Sequence, residues 1–127
     1  MRPRYADLFQ ALLDPDDARS DAAFDAILFD RTDALPDIEE AYRTAPEAAL
    51  RFYAIQLAGF TESEAAIPLV MSALADPDPS VRAEACRALE DLRARDAVDL
   101  LKARTTDLDP TVRRAAREAL AALGGRS

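Results

Sequence analysis

The chain contains no histidine, no tryptophan and a single cysteine, Cys86. Without histidine, a Ser-His-Asp triad, a Cys–His nucleophile and every histidine-bearing metal site are excluded. One cysteine makes no internal disulfide and no thiolate metal cluster. No stretch alternates apolar and polar residues long enough to suggest a strand. Long apolar runs are lacking too. Met1 to Leu13 carries polar residues every few positions, so neither a signal peptide nor a membrane span is expected there. The predicted setting is cytoplasmic.

What is present suits one folded domain over 1–127. Half of the residues are hydrophobic and 31% are charged. Much of the apolar content is alanine, and aromatics make up only 6%. Such a core is built from close helix contacts. The charges are spread along the chain, which argues against disorder. The net charge is −8 and the pI is about 4.5. An acidic protein repels phosphate backbones unless its cations gather on one face, so nucleic acid is disfavoured as a partner and a basic protein is favoured.

The informative feature is an internal repeat. Adding 31 to the numbers of Asp76-Pro77-Asp78-Pro79-Ser80-Val81-Arg82 gives Asp107-Leu108-Asp109-Pro110-Thr111-Val112-Arg113. Ile67, Leu69 and Val70 meet Val98, Leu100 and Leu101, while Leu89 and Leu92 meet Leu120 and Leu123. The series Ala23, Ala54, Ala85, Ala116 runs through the whole chain, and Pro15, Pro46 and Pro77 form another. A fixed period of this size marks a solenoid. The repeats span approximately 4–30, 34–61, 64–92 and 96–123.

Each period reads as two helices. In the third, the first helix is expected from about Glu64 to Ala75, with capping-box chemistry in Thr61-Glu62-Ser63-Glu64. The second is expected from Pro79, with Asp78 as its N-cap. Val81, Ala85, Ala88, Leu89 and Leu92 then share one face. Asp109-Pro110 repeats this start, and Gly124-Gly125 is suited to end the last helix. The recurrent alanine reads as the point where paired helices cross closely.

Asp-Pro-Asp-Pro-Ser-Val-Arg followed by Ala85 and Leu89 resembles the HEAT-like repeat, in the short form also found in phycobiliprotein lyases. The likeness is strong over 64–123, fair over 34–61 and weak over 4–30. In that first stretch Asp7 occupies an otherwise apolar position and Ser20 replaces the arginine seen at 51, 82 and 113. The first repeat therefore reads as an adapted cap. The resemblance implies an all-α fold: an α-solenoid, or right-handed α-α superhelix, of about four helix pairs whose second helices line a concave surface. It implies binding in general and no particular reaction.

Several residues are candidates for chemistry. Asp14, Asp16 and Asp17, Asp76 and Asp78, and Asp107 and Asp109 share D-x-D spacing. A calcium loop would need glycine at its sixth position, where Val81 and Val112 stand, so helix capping is the stronger reading. Arg51, Arg82 and Arg113 could hold phosphate or acidic groups. The resemblance instead implies a structural ladder to aspartates in the turns. Cys86, at the position of Phe24 and Ile55, reads as a small buried hydrophobe. No catalytic, cofactor or metal residues are assigned.

One departure from the repeat suggests a binding surface. Phe52, Tyr53, Gln56 and Phe60 stand where the third repeat has Ala83, Glu84, Arg87 and Asp91, and Phe29 corresponds to Phe60. If Leu50, Ala54, Leu57, Ala58 and Thr61 face the core, these aromatics form an exposed patch on the concave side. Glu84, Arg87, Arg114 and Glu118 would rim it. Such rings are typical partner anchors. The competing reading makes them core, or packs them on the first repeat.

The expected function is a non-catalytic protein-interaction module: a scaffold, an adaptor or an inhibitor of a basic partner. Two alternatives follow from the resemblance. One is a bilin-lyase-like enzyme or subunit. The other is a nucleic-acid-binding HEAT-like protein, for which the cation-richer second half is the only support. Self-association through the terminal repeats is left open.

Overall fold

A computed structural model describes residues 1–124 and, among them, eight α-helices and no strand. They are α1 (Pro3–Ala11), α2 (Asp17–Asp30), α3 (Leu35–Thr44), α4 (Ala48–Phe60), α5 (Ile67–Ala73), α6 (Pro79–Asp91), α7 (Val98–Arg104) and α8 (Pro110–Ala122). They pair as α1/α2, α3/α4, α5/α6 and α7/α8, giving the α-solenoid. The second helices α2, α4, α6 and α8 begin at 17, 48, 79 and 110, so the 31-residue period is kept by the backbone.

Local chemistry sets these boundaries. The side chains of Asp16, Asp78 and Asp109 accept the amides of Ala18, Ser80 and Thr111, capping α2, α6 and α8. Past the helix ends, Arg31, Glu62, Arg93 and Gly124 all have positive φ, between 46° and 76°. They too recur every 31 residues. Each reverses the chain after a second helix, a task for which glycine is best suited and which only the last repeat gives to glycine. Gly125, the other half of the expected stop, lies outside the described residues.

The first helix of the third pair differs from expectation. Glu64–Ala66 forms a 3₁₀ turn and the α-helix starts at Ile67. Pro68 has no amide to give, so it stands in the opening turn of α5 rather than one turn inside it. The capping box does not form. Ser63 is the N-cap, accepting the amide of Ala65, while the Thr61 hydroxyl turns inward and donates to the Ala58 carbonyl at 2.8 Å.

The core runs the length of the stack. Ala23, Ala54, Ala85 and Ala116 are all buried. Around them lie Ile27, Ile55, Leu57, Val81, Leu89 and Val112 from the second helices and Ile38, Val70 and Leu101 from the first. The second helices pack extensively as the row α4, α6, α8, whereas α2 touches α4 over a much smaller patch. Residue size explains the contrast. A Cβ added to Gly59 of α4 would fall 2.8 Å from the Ala88 Cβ of α6, so the two backbones meet closely there. One repeat earlier the same positions hold Leu28 and Leu57. Side chains of that size do not allow so close an approach, in keeping with the smaller contact between α2 and α4.

Candidate interaction surface

Two arrangements extend across the repeats: a polar ladder and an aromatic groove. In the ladder, Arg51 donates from Nε and Nη2 to the carboxylate of Asp76 at 3.0 and 3.2 Å. Arg82 does the same to Asp107, both at 3.0 Å. The Nη1 atoms of Arg51, Arg82 and Arg113 each bond two carbonyls in the preceding turn. Asp76 and Asp107 are buried; burial alone would raise their pKa values, but the arginine bonds bring both below the usual carboxylate range. The Tyr42 hydroxyl donates to Asp76 at 2.7 Å, and burial beside that carboxylate pushes its own pKa up. Asp78 and Asp109 serve as caps instead. Arg51 and Arg82 are thus occupied structurally, leaving little for phosphate.

The first rung of this ladder is absent as a unit. Ser20 stands where the arginine would be, and Ala45 stands where its aspartate would be. Losing only one member would strand a buried charge, which costs far more than losing both. The first two pairs are joined instead by Arg2, whose backbone amide and guanidinium bond the buried Asp37 at 2.6–3.0 Å. This clasp is not legible in the sequence, since Arg2 has no counterpart in the period.

The groove lies where α2 stands off α4. It holds about 230 Å³ and is lined by Ser20, Asp21, Phe24, Tyr53, Gln56 and Phe60. Phe24 lies edge-on to both Tyr53 (6.4 Å between ring centres) and Phe60 (6.3 Å), and Phe52 is edge-on to Tyr53 at 6.0 Å. These are favourable aromatic geometries. Tyr53 and Phe60 are two turns apart on α4, with Gln56 between them. Phe60 is 39% exposed, and Phe24, Phe52, Tyr53 and Gln56 are half-buried. The expected open patch is therefore a partly packed ring cluster against the first repeat.

Two sequence expectations are corrected. Phe29 does not join the cluster. It is 86% exposed, and five residues along α2 from Phe24 places it on a different face. Phe24, which the period aligns with Ile55 and Cys86, is the ring that ties the cluster together. Glu84, placed on the rim, is only 6% exposed. Burial raises its pKa, and its polar partner is Arg87 at 3.3 Å on the same helix. Ala83 is buried as well, because α6 is packed between α4 and α8. Arg87 stays exposed, as do Arg114 and Glu118.

Cys86 is fully buried, and burial pushes its thiol up to about 11. Such a thiol is a poor nucleophile. Among the described residues, no three His, Cys, Asp or Glu side chains group closely enough to hold a metal ion, and no helix is long and apolar enough to cross a membrane.

The model of HEAT repeats matches residues 35–121, more than half of the chain. The chain belongs to the HEAT repeat family. Among curated proteins, none matches. Three solved structures place this HEAT repeat fold in context. Human deoxyhypusine hydroxylase in complex with glycerol is similar with a TM-score of 0.74 and 25% identity, over 96% of this chain and 44% of that one. An engineered protein is similar at 0.56 and 18% identity, over 94% and 62%. The complex of CpcE and CpcF of the phycocyanin lyase from a Nostoc species is similar at 0.54 and 16% identity, over 96% and 65%. The HEAT chain thus spans less than two thirds of each of these proteins. The last two likenesses concern the fold alone.

Proposed function

We propose that this HEAT repeat chain is a non-catalytic interaction module, a scaffold, adaptor or inhibitor, that takes a basic segment of a partner protein into the groove between α2 and α4. The observation that carries the reading is the groove's lining. Three aromatic rings converge with the Asp21 carboxylate beside them, and no cation lines it. Ring faces and a carboxylate together suit a Lys or Arg side chain. The net charge of −8 draws a basic partner toward it.

The test is fluorescence anisotropy with labelled Lys- and Arg-containing peptides, comparing the wild type with Asp21→Lys. Asp21 is exposed, so the reversal leaves the core alone. Salt-sensitive binding that weakens about tenfold or more in the variant is expected. Equal binding by both proteins would move the site elsewhere, and no binding by the wild type would defeat the reading.

Catalysis is the competing reading, since two of the similar structures are of a hydroxylase and a lyase. The chain has no histidine and its one thiol is buried, which weighs against it. A bilin-lyase role would show as new visible absorbance on mixing with a free bilin.

A further inference from the structure

Every rung of the ladder joins a second helix to the turn of the next pair. Arg113 on α8 is built as the donor half of one more rung. Its Nη1 bonds the carbonyls of Asp107 at 2.7 Å and Leu108 at 3.2 Å, as the Nη1 of Arg82 bonds those of Asp76 and Pro77. Its Nε and Nη2, which in Arg51 and Arg82 hold an aspartate, meet no carboxylate among the described residues.

At the opposite end, Asp14 is built as the acceptor half. It belongs to the same 31-residue series as Asp76 and Asp107. Its Oδ1 accepts the amide of Asp16 at 2.8 Å, as theirs accept the amides of Asp78 and Asp109 at 2.9 Å. Its cation is the exposed Arg19, 3.9 Å away and beyond hydrogen-bond range.

We propose that the chain self-associates head to tail, with the α7/α8 end of one copy stacked on the α1/α2 end of the next and Arg113 bonding Asp14 across the joint. The two ends are complementary in charge. Helix α8 carries three arginines against one glutamate, and α2 carries four aspartates against one arginine. The register also gives Phe29 a partner. Within the chain, Phe24 of α2 meets Tyr53 and Phe60 of α4. Across the joint, Arg117 replaces Phe24, while Ala22 and Phe29 replace Tyr53 and Phe60. A guanidinium would then lie against the exposed Phe29 ring, a cation–π pairing. Such an interface is heterologous, so association continues into a ring or a filament.

Sedimentation of the 127-residue chain over a concentration series tests this. The wild type should gain mass with concentration, less so at high salt. Arg113→Asp and Asp14→Arg should each weaken association about tenfold or more by setting like charges together. An equal mixture of the two variants places opposite charges at every joint and should restore wild-type assembly, which a folding defect could not do. Phe29→Lys, on a side chain outside the core, sets a second cation against Arg117 and should weaken it as well. A wild type that stays monomeric overturns the proposal. So does assembly indifferent to both charge reversals, or a mixture that fails to reassemble.

Discussion

Arg82 and Asp107 lie 25 residues apart in sequence and meet through two bonds of 3.0 Å, binding the third helix pair to the fourth. Arg51 and Asp76 repeat the relation one period earlier. Both aspartates also accept the amide two residues on, so each carboxylate fixes a turn and a repeat interface together. Arg82→Ala would strand a carboxylate whose side chain is 3% exposed. We expect a loss of about 2–4 kcal/mol in urea unfolding. Arg104, 3.4 Å from the same carboxylate, limits the loss. A change of a few tenths would show that the rung is ornamental.

The rungs also set the acid limit of stability. Asp76 and Asp107 have folded pKa values below the ordinary aspartate value of about 3.9. Their stabilisation is complete above that value and is lost as pH falls through the depressed folded values. Thermal midpoints of the wild type should therefore fall in this acidic range. Arg82→Ala, lacking one rung, should show a shallower fall. Parallel curves for the two proteins would assign acid unfolding to other groups.

The second helices, their aspartate caps, the arginine ladder and the buried alanine series were legible because each depends on short-range chemistry repeated at a fixed interval. The site was legible only in part. Tyr53 and Phe60 were identified as departures from the period, but whether a departure is exposed depends on how far apart two helices stand. That spacing is set by Gly59 against Ala88 in one place and by Leu28 against Leu57 in another, pairs that the 31-residue alignment does not bring together. Glu84 was misplaced for the same reason. Its residue type suggests solvent, but α6 has a helix on either side.

Gly59 is where α4 and α6 come closest. In Gly59→Ala the new Cβ would lie 2.8 Å from the Ala88 Cβ and 3.0 Å from its Cα, and a backbone atom cannot rotate away. Overpacking of this kind costs about 1–3 kcal/mol. Ala88→Gly in the same chain should recover part of that cost, despite its own helix-propensity penalty of about 1 kcal/mol. Chemical denaturation of the two single variants and the double variant gives the coupling. Additive losses would mean that the helices separate freely.

Arg93 holds φ at 55°, a region that a side chain occupies at a cost of about 1–2 kcal/mol. Its counterpart in the last repeat is already a glycine, Gly124. Arg93→Gly removes the strain but adds backbone freedom to the unfolded chain, which offsets about 0.5–1 kcal/mol. The net expectation is a gain of up to about 1 kcal/mol, read as a higher thermal midpoint. A lower midpoint would mean that the exposed arginine side chain contributes more than its backbone costs.

Glu84 makes the opposite case to the ladder aspartates. Burial raises its pKa, and Arg87, reached by one 3.3 Å bond, does not compensate. Its ionised form therefore opposes folding above the ordinary glutamate value of about 4.3, and protonation relieves that opposition. Glu84→Gln keeps the shape and removes the charge. We expect it to raise stability at neutral pH by about 1 kcal/mol or less and to change nothing near pH 3, where the wild-type carboxyl is already neutral. A loss of stability at neutral pH would mean that the Arg87 bond outweighs the burial of the charge. Glu84 would then be a member of the structural network rather than a charge that the packed row of helices tolerates.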